Sequence, residues 1–347
     1  MRTITPAHKQ ALEDLSAEGL LRGLPVQTAE KDIHITELLK ALSEMQILHE
    51  HFGDLDVRKG DTLRHDAGIQ LAFAGGTCLS KAHRLINRMS EDIDIRVLLE
   101  PTAKPLKKGR GDRTRLKALH DRIAAVLASM DFPLLQYAEG ANPGISDAHR
   151  YYVIGAGYQS AYTEIASLRP ELKLELIERT PLLPLERCQF GYLHESVAGM
   201  SPSLTVSMDC IGVAETTAEK VLSLLRRCAY KWDGYQTKGD IDPALVRHLY
   251  DVARIARQSP VSLEAARSIF ARLVIGDRDE FKGQNPEFDA DPVGVLKRTL
   301  QAARVSVELR TRYSQVLMPL VYDSSPPTFE QAFADFESVA QTLLAAC

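Results

Sequence analysis

The stretch from Phe73 to Ile95 constrains this chain more than any other. It reads as a strand, a Gly75-Gly76 turn, a short helix and a second strand carrying two carboxylates. Asp92 and Asp94 are two residues apart, so a strand presents both on one face, while Ile93, Ile95 and Val97 alternate onto the other for burial. Two carboxylates held side by side repel unless protonated, hydrogen-bonded or bound to a cation. Hard oxygen donors on a rigid strand suit Mg2+ or Mn2+. The glycines allow backbone to approach a phosphate, and Thr77 is a good helix N-cap. The pattern therefore points to a polyphosphate and its metal between the turn and the aspartates.

Gly75-Gly76-Thr77-x-Leu79-x-Lys81 followed by Arg88-x-Ser90-x-Asp92-x-Asp94 resembles the nucleotidyltransferase toxins of the AbiEii/AbiGii type, within the DNA-polymerase-beta-like nucleotidyltransferase superfamily. The two halves occur in order at a plausible spacing, whereas a lone Gly-Gly or Asp-x-Asp would be a weak signal. The resemblance implies an α+β fold: a minimal nucleotidyltransferase core, a mixed sheet with flanking helices, plus a helical N-terminal extension and a helical C-terminal domain. Residues 1–210 would form the nucleotidyltransferase domain with its N-terminal helices. Residues 211–347 would form the helical domain that completes the nucleotide and RNA cleft, with the boundary near 205–215.

The third carboxylate is sought on a neighbouring strand. The run from Glu171 to Glu178 alternates cleanly, with Leu172, Leu174 and Leu176 on one face and Lys173 and Glu175 on the other. Glu175 matches the family position best, and Glu171 is the weaker candidate. A third oxygen donor there would position a metal, or act as general base toward an acceptor hydroxyl. Asp92, Asp94 and Glu175 are thus the expected catalytic and metal-binding residues.

Further along, Ala218-Glu219-Lys220 and Arg227 resemble a family helix. Lys220 and Arg227 are seven apart, two helical turns, and so share a face. The resemblance implies that they reach the triphosphate together with Gly75, Gly76, Thr77, Ser90 and Lys81. Lys81 is either aimed at a phosphate from one turn beyond Thr77 or a solvated helix lysine. Arg247 to Arg254 looks like the family's Arg-Asp-x-Tyr-Asp segment: Tyr250 and Asp251 match, but His248 stands where the family has its first Asp. Asp251 would hold Lys220 or Arg227 by a charge-assisted hydrogen bond, or be an ordinary solvated helix residue. Glu30-Lys31-Asp32, a pattern that the family also carries, reads as a helix-start and packing feature. The helix after the glycine turn is expected to run from Thr77 to Asn87, residues 185–207 to be strand fragments and connections, and 276–286 to be a connection between helices.

The chain has a formal charge of -4, so it is no globally basic nucleic-acid coat, but a local patch can serve RNA. Lys104, Lys107, Lys108, Arg110, Arg113, Arg115 and Lys117 form such a patch beyond the aspartate strand. The five cysteines show no metal-site spacing and suit a reduced cytoplasmic protein, and no run resembles a signal or membrane span. The resemblance implies NMP transfer from an NTP to an acceptor, with a tRNA 3' end as acceptor, Mg2+ or Mn2+ as cofactor, and a winged-helix, AbiEi-like antitoxin as partner. Two rivals keep parts of this reading: transfer to a protein or small molecule, and binding of nucleotide or RNA without turnover.

Overall fold

Alternation of apolar and polar residues along the chain builds one large sheet with one buried face. The computed structural model describes residues 1–50, 64–90, 92–101, 111–136, 142–163, 168–235, 243–260 and 262–347. These divide into two compact units. One comprises Met1–Ala82, Ser90–Thr180 and Leu185–Ile211; the other comprises His83–Met89, Pro181–Pro184 and Gly212–Cys347.

The first unit opens with helices α1 (Pro6–Ala17) and α2 (Val26–Glu44), followed by a small ribbon of β1 (Leu48–Glu50) and β2 (Arg64–Asp66). Then come β3 (Ile69–Ala74), α3 (Gly75–Lys81), β4 (Asp92–Leu99), α4 (Gly111–Ser129), β5 (Gly144–Ser146), β6 (Tyr151–Gly157), β7 (Glu171–Glu178), β8 (Glu186–Phe190), α5 (Leu193–Ala198) and β9 (Val206–Cys210). Among the described residues, seven strands form a mixed sheet in the order β5-β6-β7-β4-β3-β9-β8, with β4 parallel to β7, β3 parallel to β9 and the other pairs antiparallel. Ile93, Ile95, Leu172, Leu174, Leu176, Phe73 and Ile154 are all buried on the apolar face. Burial of each such side chain contributes about 1.5–3 kcal/mol.

Helix α2 packs against β7 and β9 and is buried almost all round over its first half. That burial includes Glu30, Lys31 and Asp32, which are therefore paired. Glu30 accepts from the Ser160 hydroxyl and the Ala161 amide, Lys31 donates to the Arg169 carbonyl at 3.3 Å, and Asp32 meets Lys81. The expectation that these charges serve packing fits their burial.

Three expectations are corrected here. Helix α3 begins at Gly75 rather than after a Thr77 cap, and it ends at Lys81 instead of Asn87. Arg84 takes a positive φ of 56°, and the segment it stands in belongs to the second unit, with Met89 N–H donating to the Leu320 carbonyl and Tyr322 N–H to that of Asn87. Residues 185–207 do hold strand, but as β8 and the first two residues of β9, which extend the main sheet, and the helix α5 stands between them where connections were expected. The 276–286 connection is shorter than expected, because helix continues to Glu280.

The second unit is helical: α6 (Val213–Trp232), α7 (Arg247–Gln258), α8 (Ser262–Glu280), α9 (Pro286–Ala290), α10 (Pro292–Arg304), α11 (Val307–Arg312) and α12 (Phe329–Leu344). Helix α6 is its axis, packing against α7, α8 and α10 through residues that include Val221, Leu224 and Leu225. The Glu215 carboxylate in its first turn accepts the Leu182 and Leu183 amides at 2.9–3.0 Å and so satisfies the Pro181–Pro184 turn. Among the described residues, no helix is long and apolar enough to cross a membrane.

Candidate active site

Strand register assembles the first unit's polar face. In the parallel β4–β7 pair, Asp94 lies directly opposite Glu175 and Asp92 directly opposite Lys173. Side chains alternate across a strand, so these four groups share the face turned away from Ile93, Ile95, Leu174 and Leu176. All are partly exposed: the side chain of Asp92 is 37% accessible, that of Lys173 41% and that of Glu175 19%. Glu171 stands at the far end of β7 opposite Gly157, two register steps from Lys173, and pairs with Arg169 at 3.5 Å.

One ammonium partly offsets the three carboxylates on this face. The Lys173 ammonium contacts Glu175 and lies 4.0 Å from Asp92. Partial burial alone would lower the Lys173 pKa, but Glu175 and Asp92 overcome it and hold the lysine above its ordinary value. The Tyr151 phenol, on the next strand β6, hydrogen-bonds to Glu175. Burial and that carboxylate push its pKa up.

Gly75 closes the face at the β3–α3 turn. Its φ is +74°, and a Cβ there would lie 1.8 Å from Asp94 Oδ2. The residue is thus glycine for two reasons, a left-handed backbone and a carboxylate occupying the side-chain position. Gly76 and Thr77 are buried, and the Thr77 hydroxyl donates to the Asp92 carbonyl, tying α3 to the start of β4. Ser90, just ahead of β4, is half-buried.

Lys81 does not face these groups. Its side chain is 1% accessible, and its ammonium donates to Asp32 at 2.5 Å, to the Thr36 hydroxyl at 2.8 Å and to the Gly191 carbonyl at 3.1 Å. Asp32 in turn accepts the Leu193 amide at 2.7 Å. Burial lowers the Lys81 pKa while Asp32 partly restores it. The lysine that was expected to reach a phosphate is instead a peg joining α3, α2 and the start of α5. Nothing in the local sequence marks this pair, since its members are 49 residues apart.

The second unit holds its own charged cluster. Asp251 is fully buried and accepts both Arg88 Nε (2.7 Å) and Nη2 (2.5 Å), while Lys220 Nζ lies 2.9 Å away. Burial would raise the Asp251 pKa, but Arg88 and Lys220 prevail and hold it below the usual carboxylate range. Asp251 therefore orients Lys220, as the first of the two sequence readings has it, and it is no solvated aspartate. The motif's Arg88 is engaged with the same carboxylate. His248 is half-buried, and burial and then Lys220 hold its pKa well below the ordinary value, so it adds no charge near neutral pH. Arg227 is half-buried two turns along α6 from Lys220.

The register thus sets two aspartates and a glutamate on one polar strand face beside a glycine turn. The family described as "Nucleotidyl transferase AbiEii toxin, Type IV TA system" matches residues 61–335 of the chain. This chain belongs to the AbiEii family. It is a toxin-type nucleotidyltransferase, and AbiEii enzymes are generally metal-dependent. No individual curated protein gives a significant match. The AbiEii match spans both the carboxylate face and the Arg88–Asp251–Lys220 cluster.

The donor set fits a divalent cation by its chemistry. Asp92, Asp94 and Glu175 share one face in register and offer the hard oxygen donors such a cation takes, the Lys173 ammonium already stands among them as a positive charge, and Gly75 leaves room for the Asp94 carboxylate.

Proposed function

We propose that this enzyme transfers NMP from an NTP to the 3' end of tRNA, blocking translation, with Asp92, Asp94 and Glu175 holding Mg2+ or Mn2+. The observation that carries the proposal is the register of β4 on β7, which sets Glu175 opposite Asp94 with Asp92 on the same face. When bound, the cation supplies charge stabilisation at the α-phosphate and lowers the pKa of the acceptor hydroxyl. The chain's own residues do the rest. Gly75, Gly76, Thr77 and Ser90 line the phosphate side of the carboxylates, and Lys220, oriented by Asp251, and Arg227 bind phosphate oxygens. The acceptor oxygen bonds to the α-phosphorus as the bond to the departing pyrophosphate breaks. Glu175 serves as third oxygen donor or as the base that takes the acceptor's proton. A separately encoded winged-helix antitoxin would neutralise the enzyme.

RNA binding is proposed for the basic run. Of its seven cations, Lys104, Lys107, Lys108 and Arg110 lie outside the described residues. Arg113 and Lys117 are exposed on α4. Arg115 is buried, its guanidinium donating to the carbonyls of Ala67, Gly68 and Glu100, so it serves the fold and is removed from the RNA-binding set.

The test is incubation with total tRNA, Mg2+ and each α-labelled NTP in turn, beside a D92N/D94N variant. Label entering tRNA from the wild type and lost in the variant supports the reading. Nucleotide binding without labelled RNA would refute the acceptor, and the same assay with protein substrates would then follow.

A further inference from the structure

The polar face carries one residue whose position none of the motifs explains. Parallel register makes a square of three negative charges and one positive: Asp92 on β4 faces Lys173 on β7, and Asp94 faces Glu175. The lysine spans the diagonal, in contact with Glu175 and 4.0 Å from Asp92 Oδ1. Its ammonium thus lies between two carboxylates that the proposed function assigns to a divalent cation. Two cations cannot share those oxygens at such distances without strong repulsion.

We propose that Lys173 is a built-in counter-cation that must leave Asp92 and Glu175 before a divalent metal is held there, so that this residue sets the cation affinity of the site. The inference rests on the reading of Asp92, Asp94 and Glu175 as a cation site. Two features support it. Lys173 is part-exposed, with room for its flexible stem to swing aside, and an ammonium on four methylenes moves more readily than a planar guanidinium. The ammonium also meets carboxylates on both strands, Glu175 on β7 and Asp92 on β4, so its departure frees an oxygen donor on each. In the metal-free enzyme it prevents the acidic face from repelling itself, and loading becomes an exchange of one cation for another.

The experiment is a Mn2+ titration of the full chain without nucleotide, reading free Mn2+ by its electron paramagnetic resonance signal. Wild type, K173M, K173R and the D92N form of each would be compared. Thermal unfolding run in parallel confirms that each is folded, and K173Q replaces K173M if needed. K173M is expected to bind Mn2+ at least about tenfold more tightly than wild type, because a competing charge is gone. K173R keeps the charge and is expected to stay within about threefold of wild type. D92N is expected to remove the site in every background. An unchanged or weaker affinity in K173M, or equal tightening in K173R, overturns the proposal while leaving the cation site itself standing. Absence of any D92N-sensitive binding in both wild type and K173M would overturn the cation site and this inference together.

Discussion

The Asp94 carboxylate occupies the space that a side chain on residue 75 would need, with Oδ2 only 1.8 Å from an ideal Cβ on Gly75. The turn and the aspartate strand β4 are therefore one object: β3 and β4 are antiparallel neighbours with Ala74 opposite Asp94, and the glycine lets the backbone turn over that carboxylate. G75A forces Asp94 out of its rotamer and puts a Cβ at positive φ. The expected result is a stability loss of about 1–2 kcal/mol, from the left-handed backbone. Activity is expected to fall by about 100-fold or more, since catalytic groups tolerate little displacement. Denaturant unfolding and the tRNA-labelling assay measure the two separately. A variant that kept full activity would show that Asp94 need not sit where it does.

The Arg88–Asp251–Lys220 cluster has a pH signature. The two cations hold the Asp251 pKa below its ordinary range despite burial. A carboxylate depressed in the folded state adds stability that is complete above its unfolded pKa of about 3.9 and is lost as pH falls toward the folded value. D251N leaves two cations facing a neutral amide and is expected to cost about 3–5 kcal/mol near neutrality. Wild type should then lose more stability than D251N on going below about pH 4, so that the two curves converge in acid. Urea unfolding at a series of pH values checks this, and parallel curves would argue against the cluster as the source.

Much of the site was legible because its information is local. A period-two pattern marks β4 and β7, and the glycines mark the turn between β3 and α3. The same period-two rule missed β8 and β9 as members of the main sheet, because short strands interrupted by Pro202 and a helical turn carry little signal. What brings β9 into the sheet is pairing with β3, more than 130 residues earlier. Side-chain partners were the least legible. Lys81 and Arg88 both stand in the recognised motif, yet each is spent on a buried aspartate, one 49 and the other 163 residues away. A motif cation that faces phosphate and one that holds the fold look alike until the tertiary pairing is known. Lys173 is the converse case, an unremarkable alternating residue that register places among the carboxylates.

The Lys81–Asp32 pair is expected to behave as a structural unit. Both side chains are nearly inaccessible, so removing one partner leaves a buried, uncompensated charge. K81M and D32N should each cost about 3–5 kcal/mol. The double variant should cost less than their sum by about 2 kcal/mol, the mark of direct coupling. In K81M at a temperature where it is folded, the KM for NTP should stay within about threefold of wild type, because no phosphate contact has been lost. A large rise in KM without loss of stability would return Lys81 to the phosphate site.

Arg113 and Lys117 test the acceptor side of the proposed function. Both are exposed on α4; Lys117 pairs with Asp121 at 2.6 Å, but that pair is solvent-exposed and so weakly held. Reversing both charges, R113E/K117E, leaves the buried Arg115 and its three carbonyl partners intact. If these cations meet RNA phosphates, tRNA labelling should fall by about tenfold or more at low salt, and the dependence of RNA affinity on log salt should flatten by about 2. NTP binding, which the proposed function assigns to other residues, should be unchanged. Loss of labelling with an unaltered salt slope would place the defect outside RNA contact. Retention of both would mean that RNA approaches the enzyme by another surface.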